Sequence, residues 1–159
     1  MGQIPDLVQP VHVVDLGAGD KKLERTLASK YDIRYSGYDK HPQADDVQAW
    51  EANVGLPADL GDVCFALGLI EYLESPGRLF EHATASSRYF IFSYVTSDAG
   101  MYSATRIKRL GWKTHHSAAE IETMVRAAGL DILARVDNAV DHYSIWLTSS
   151  THQTGLKSA

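Results

Sequence analysis

The chain has 159 residues, 45% of them hydrophobic and 22% charged, with a formal net charge of −5. That make-up suits one globular domain with a single core. The negative balance argues against a nucleic-acid backbone as the main ligand, and no apolar run reaches the length of a membrane span.

No secretory signal is expected, because the N-terminus lacks a basic stretch followed by an apolar one and a cleavage site. The single cysteine, Cys64, precludes an intrachain disulfide and lies in an apolar run. It suits buried filler better than a nucleophile, and the expected location is the cytoplasm.

Residues 1–10, with Pro5 and Pro10, form a short segment ahead of one domain expected over residues 11–149. Val11 to Leu16 is an apolar strand that runs into Gly17-Ala18-Gly19. Two glycines spaced by one residue permit positive φ and let a ligand approach the backbone with no Cβ in the way. A helix over Lys21 to Lys30 follows, with Leu23 and Leu27 on one face. Strand, glycine turn and helix mark a site for a nucleotide-like ligand at the strand's carboxyl end. Ile33 to Tyr38 is a second strand and ends in Asp39. An acid about 20 residues beyond the turn can accept hydrogen bonds from ribose hydroxyls.

Cys64 to Leu67 reads as a short strand buried on both faces. Ser75-Pro76 suits an N-cap with proline at the first helical position, and Leu79, Phe80 and Ala83 give that helix an inward face. Tyr89 to Val95 is a further strand. Ser117-Ala118-Ala119-Glu120 is a capping-box signature. It leads Ile121, Met124, Val125 and Ala128 at helical spacing, with Gly129 as the stop. Strands over Ile132 to Val136 and Tyr143 to Thr148 are joined by a polar turn at Asp137-Asn138. That link is too short for a helical crossover, so the last strand must enter antiparallel. Residues 150–159 are polar and read as a frayed tail.

Asp15-Leu16-Gly17-Ala18-Gly19, then Gly37-Tyr38-Asp39, then the run from Asp62 to Leu73 together resemble the class I S-adenosylmethionine-dependent methyltransferases. The likeness extends over residues 11–147. It implies a doubly wound, Rossmann-like α/β domain of three layers, its seven-stranded sheet mostly parallel with an antiparallel last strand. It also implies S-adenosylmethionine as cofactor. The turn at Asp15, Gly17, Ala18 and Gly19 would pack on the methionine part, and Asp39 with Lys40 would meet the ribose. Asn53 and Val54 would lie near the adenine, while Leu67, Gly68 and Leu69 would line the methyl-transfer site.

Two departures stand out. Lys21 occupies the place of the family's third glycine, and only about ten residues precede the first strand, where relatives carry a covering helix. A nicotinamide domain is a poorer match, because Gly17-x-Gly19-x-x-Lys22 lacks the last glycine of that fingerprint. A fainter likeness to the MetW-type branch rests on Ser87 to Ser93, with no Pro-Gly-Gly turn ahead of that strand.

A methyl sulfonium needs a nucleophile held in line, and a general base only if the acceptor carries a proton. Tyr72, His115 and His116 are the candidate bases, each with an ordinary alternative as pocket wall or solvated loop. Adjacent histidines do not readily converge on one ion, so no metal site is expected. Arg106 to His116 gathers four cations, Trp112 and both histidines in an acidic chain. The sharper reading is a clamp for a carboxylate or phosphate, with Arg106 and Arg109 as bidentate donors beside Trp112. The plainer reading is a solvated loop or short helix. The Asn/Asp-Pro-Pro-aromatic run of DNA amino-methyltransferases is missing, Ala66-Leu67-Gly68-Leu69 standing in its place, and no Pro-Cys nucleophile is present.

The expected function is therefore methyl transfer to a small acceptor, anionic on the sharper reading. The alternative is a methyltransferase-like binding or partner protein whose cofactor site is degraded or incomplete. A partner chain or a second copy would then cover the site. Asp15, Gly17, Gly19 and Asp39 favour the enzyme; Lys21 and the short N-terminus favour the alternative.

Overall fold

The fold grows from β1, Val11–Leu16, whose apolar residues are buried on both sides of the sheet. A computed structural model describes residues 7–140 and 142–150; residues 1–6 and the expected tail over 151–159 lie outside the described residues. After β1 come α1 (Lys22–Ala28), β2 (Ile33–Asp39), β3 (Val47–Ala49) and β4 (Val63–Ala66). Then follow α2 (Pro76–Ser86), β5 (Tyr89–Tyr94), α3 (Ala104–Leu110), α4 (Ala118–Ala127), β6 (Leu130–Asn138) and β7 (Tyr143–Ser150). A short 3-10 turn, Ile70–Tyr72, follows β4.

The seven strands form one sheet in the order β3-β2-β1-β4-β5-β7-β6. Strands β1 to β5 pair in parallel, and β7 runs antiparallel to both β5 and β6. This is the doubly wound α/β arrangement with an antiparallel last strand. The chain leaves β1 through α1 toward β2, but leaves β4 through α2 toward β5 on the other side. The order reverses between β1 and β4, and ligands of open α/β sheets bind at the carboxyl ends of strands at such a point.

The core lies mainly on one face. Val14, Leu16, Phe90, Phe92 and Trp146 are all fully buried there against Leu79 and Phe80 of α2 and Ile121 and Val125 of α4. Phe92 stacks on Trp146 with ring centroids 5.2 Å apart. The opposite layer is thin. Its buried cluster is Val11, Val13 and Val63, and α1 buries none of its residues completely.

Local chemistry explains several boundaries. The capping box forms as the sequence predicts: Glu120 N–H donates to Ser117 Oγ, and Glu120 Oε2 accepts from Ser117 N–H at 2.7 Å. Ser75 precedes α2 but makes no side-chain cap, so Pro76 alone marks that start. Helix α1 begins one residue later than predicted, because Lys21 adopts a left-handed conformation and serves as its N-cap. The expected turn at Asp137-Asn138 belongs to β6, where these residues pair with Ser144 and Tyr143. Ser150, placed in the expected tail, ends β7 and donates to the Thr84 carbonyl at 2.8 Å. Cys64 is fully buried, and burial pushes its thiol well up, as suits packing.

Candidate functional site

Strand register brings the glycine turn beside the tip of β2. Asp15 lies opposite Gly37, and the amides of Gly17 and Ala18 both donate to the Tyr38 carbonyl at 2.8 and 3.0 Å. Gly17 and Gly19 have φ of 85° and 50°, which glycine adopts without a Cβ penalty. The Gly19 amide donates to Asp39 Oδ2 at 2.9 Å, and the His41 amide to Asp39 Oδ1 at 2.7 Å. Asp39 thus ties the turn to the second strand as well as facing the ligand side. Each of its oxygens keeps a lone pair for a further donor.

Asp15 has a different task. It is 4% exposed and accepts a 2.6 Å hydrogen bond from the Tyr35 hydroxyl. Burial raises its carboxyl above the usual range, and burial with the neighbouring carboxyl also pushes the Tyr35 hydroxyl far up. Lys21, where the resemblance expects a third glycine, is left-handed, with φ of 61°. Its ammonium compensates by pairing with Asp46 and with Glu24 at 2.5 Å, 5.4 Å from the Tyr35 ring centroid.

A cleft of about 370 Å³ opens at the carboxyl ends of the strands. Gly17, Gly68 and Leu69 form its middle, where β1 meets β4. Asp39, Lys40, Trp50 and Glu51 line the end beyond β2 and β3. Tyr72, Gly111 and Lys113, from the segments after β4 and α3, also line it. Lys40 and Glu51 form a 2.6 Å ion pair that lowers the Glu51 carboxyl. Asn53 also borders the cleft, but its amide acts as a strut: Nδ2 donates to the Tyr72 carbonyl at 3.0 Å, and Oδ1 accepts from Glu74 N–H at 2.9 Å.

The cleft therefore unites Gly17, Asp39, Lys40, Asn53, Gly68 and Tyr72. Ala18 and Gly19 shape the turn without lining the cleft, and Asp15 sits beneath it. Val54 is 82% exposed outside the cleft, and Leu69 rather than Leu67 faces in. The histidines lie elsewhere. His115 packs with Trp112 and Tyr102, ring centroids 5.7 and 6.1 Å away, and burial lowers its imidazole. His116 stacks beside Tyr94, whose hydroxyl accepts from the His116 amide at 2.8 Å. The Arg106 guanidinium lies 4.5 Å from the Tyr102 ring centroid, and neither it nor exposed Arg109 lines the cleft.

Trp50, Glu51 and Lys113 line the cleft without having been singled out from the sequence. Trp50 and Glu51 follow a strand of three residues, too short to leave a periodic signal. Behind the wall, Glu71 is 3% exposed, and burial raises its carboxyl. Its Oε1 accepts from Val95 N–H at 2.8 Å, and its carbonyl accepts from Lys113 N–H at 2.7 Å.

No family model and no curated protein sequence matches the chain. Solved structures do. A putative methyltransferase complex with the Trm112 methyltransferase activator of Haloferax volcanii matches with a TM-score of 0.74 at 17% identity, over 91% of this chain and 84% of that one. The O-methyltransferase NcsB1 of neocarzinostatin biosynthesis, solved with S-adenosylmethionine and a naphthoic acid, matches at 0.64 and 15% identity. That match covers 87% of this chain, which spans about half the length of NcsB1, 48%. The (4+2)-cyclase SpnF matches at 0.66 and 15% identity, over 88% of this chain and 75% of that one. The chain has the fold of the class I S-adenosylmethionine-dependent methyltransferases.

Proposed function

We propose that the cleft binds S-adenosylmethionine and that the protein transfers its methyl group to a small acceptor. The observation that carries this reading is the meeting of Gly17 and Asp39 in one cleft at the switch point, joined through the Gly19 amide. The residues fit such a ligand. About 370 Å³ falls within the roughly 300–1,000 Å³ of small-molecule sites. Gly17 leaves the backbone open, Asp39 retains acceptor capacity for ribose hydroxyls, and Trp50 offers a flat apolar wall beyond β3. NcsB1 was solved with S-adenosylmethionine, and the methyltransferase CalO1 of calicheamicin biosynthesis with S-adenosylhomocysteine.

When bound, the cofactor supplies an electrophilic methyl group, so the chain's contribution is to orient and enclose. Leu69 and Tyr72 line the cleft, and Tyr72, 42% exposed, is the candidate base among its lining residues. A base is needed only for a protonated acceptor. The cytoplasm stays the proposed location. No helix among the described residues is long and apolar enough to cross a membrane.

A second reading has its own support. Among the described residues α1 is the one helix packed on the second face's buried cluster, and the Haloferax volcanii match is to a complex with a methyltransferase activator. A methyltransferase-like partner protein, completed by another chain or a second copy, is the alternative; the cyclase SpnF is a reminder that fold alone does not fix chemistry. Calorimetric titration with S-adenosylmethionine and S-adenosylhomocysteine separates the two. Micromolar binding that weakens at least about tenfold in Asp39→Ala supports the enzyme. No heat at millimolar ligand supports the partner role.

A further inference from the structure

This inference rests on the proposal that the cleft holds S-adenosylmethionine, and it concerns the acceptor. The charges lining the cleft divide by end. Asp39, Glu51 and Lys40 stand toward β2 and β3, and Glu51 neutralises Lys40 at 2.6 Å. Lys113 comes from the segment after α3, where its amide is bonded to the residue before Tyr72. Among the described residues its ammonium has no carboxylate partner.

Its base is fixed. The Lys113 and Thr114 amides both donate to the Glu71 carbonyl, at 2.7 and 3.2 Å, and the Glu71 carboxylate holds the end of β5 through Val95. The anchor is to the backbone, and the exposed side chain above it is a point charge with three donors, suited to a carboxylate or phosphate. A sulfonium in the same cleft adds a second positive charge. Two cations in a partly enclosed cleft repel, and an anion between them turns that repulsion into two attractions.

We propose that Lys113, rather than Arg106 or Arg109, recognises the acceptor, and that the acceptor carries an anionic group, carboxylate or phosphate. The arginines are poorly placed for it: Arg106 is stacked on Tyr102, and both lie outside the cleft. Lys113 is thus a specificity-determining residue.

The test is calorimetry on the full chain saturated with S-adenosylmethionine, using benzoate and inorganic phosphate as probes. Lys113→Met should weaken the bound probe at least about tenfold, and Lys113→Arg by no more than about threefold. S-adenosylhomocysteine affinity should change by less than about twofold in both variants. Equal probe affinity in Lys113→Met overturns the proposal, as does the absence of heat with either probe in the wild type. It is also overturned if Lys113→Met loses S-adenosylhomocysteine affinity while methylthioadenosine, which lacks the carboxylate, binds as before. Lys113 would then hold the cofactor. Should the wild type bind neither cofactor form, the cofactor reading falls by itself, and titrating both probes into the cofactor-free chain still decides the role of Lys113.

Discussion

The two faces of the sheet are built from the same strands but finished differently. Along β5, Phe90, Phe92 and Tyr94 point to one face and are fully buried, while Tyr89 and Ile91 point to the other and are only partly covered. Helices α2 and α4 close the first face; α1 covers part of the second, beside β2. Over β4, β5 and β7 the second face leaves an apolar groove of about 460 Å³, floored by Phe65, Ile91 and Leu147 and bordered by Leu133, which is 53% exposed. Both sets of residues are apolar because parallel strands are ordinarily buried on both sides. Apolar composition along a strand thus records the demand for cover, not its presence.

The largest expected effect separates the faces by truncation. Trp146 is fully buried between Phe92 and the Arg135 guanidinium, 5.2 Å from its ring centroid. Trp146→Ala should cost about 3–5 kcal/mol in urea denaturation of the isolated chain. Leu133→Ser on the open face should fall within about 0.5 kcal/mol of the wild type. If Leu133→Ser costs as much as a core truncation, the open face is covered in solution and the contrast breaks down.

A middle-sized effect comes from two buried carboxyls. Asp15 faces Tyr35, on the thinly covered side, and Glu71 holds Val95 behind the cleft wall. Burial raises both above their ordinary values of 3.8 and 4.5. The folded protein therefore keeps these protons at pH values where the unfolded chain has released them. Their contribution is most favourable below the ordinary values and is lost as pH rises through the raised ones. Asp46, Glu51, Glu120 and Asp137 are held low by their partners and slope the opposite way. The useful quantity is therefore the difference between variant and wild type. For Asp15→Asn and Glu71→Gln that difference should shift in the variant's favour as pH rises from 4 toward 8, by denaturation at each pH. A flat difference would mean that burial does not tax these carboxylates.

How much was legible follows from how local each signal is. The glycine turn and the Ser117–Glu120 box are readable because each device lies within a few residues, and Asp39 because it ends a strand at a fixed distance beyond the turn. β3 was not, because Val47 is its only buried residue and three residues show no alternation. The basic run after β5 was visible as charge, yet which cation lines the cleft depends on Lys113 being pinned to the Glu71 carbonyl, a contact across 42 residues. Asn53 borders the cleft, but its strut role arises from backbone atoms of Tyr72 and Glu74 that no pattern announces.

The smallest expected effect concerns Lys21, at the head of α1 on the thin side. Glycine there would relieve the left-handed backbone conformation but lose the pairs with Glu24 and Asp46 and the contact over Tyr35. Strain does not depend on ionic strength, whereas exposed ion pairs are screened, with a Debye length of about 3 Å at 1 M salt. Lys21→Gly should therefore melt close to the wild type at low salt and above it at about 1 M salt. A variant that melts lower at both salt concentrations would show that the lysine is held by more than charge. The contact of its side chain with the Tyr35 ring would then be part of what keeps α1 on the sheet.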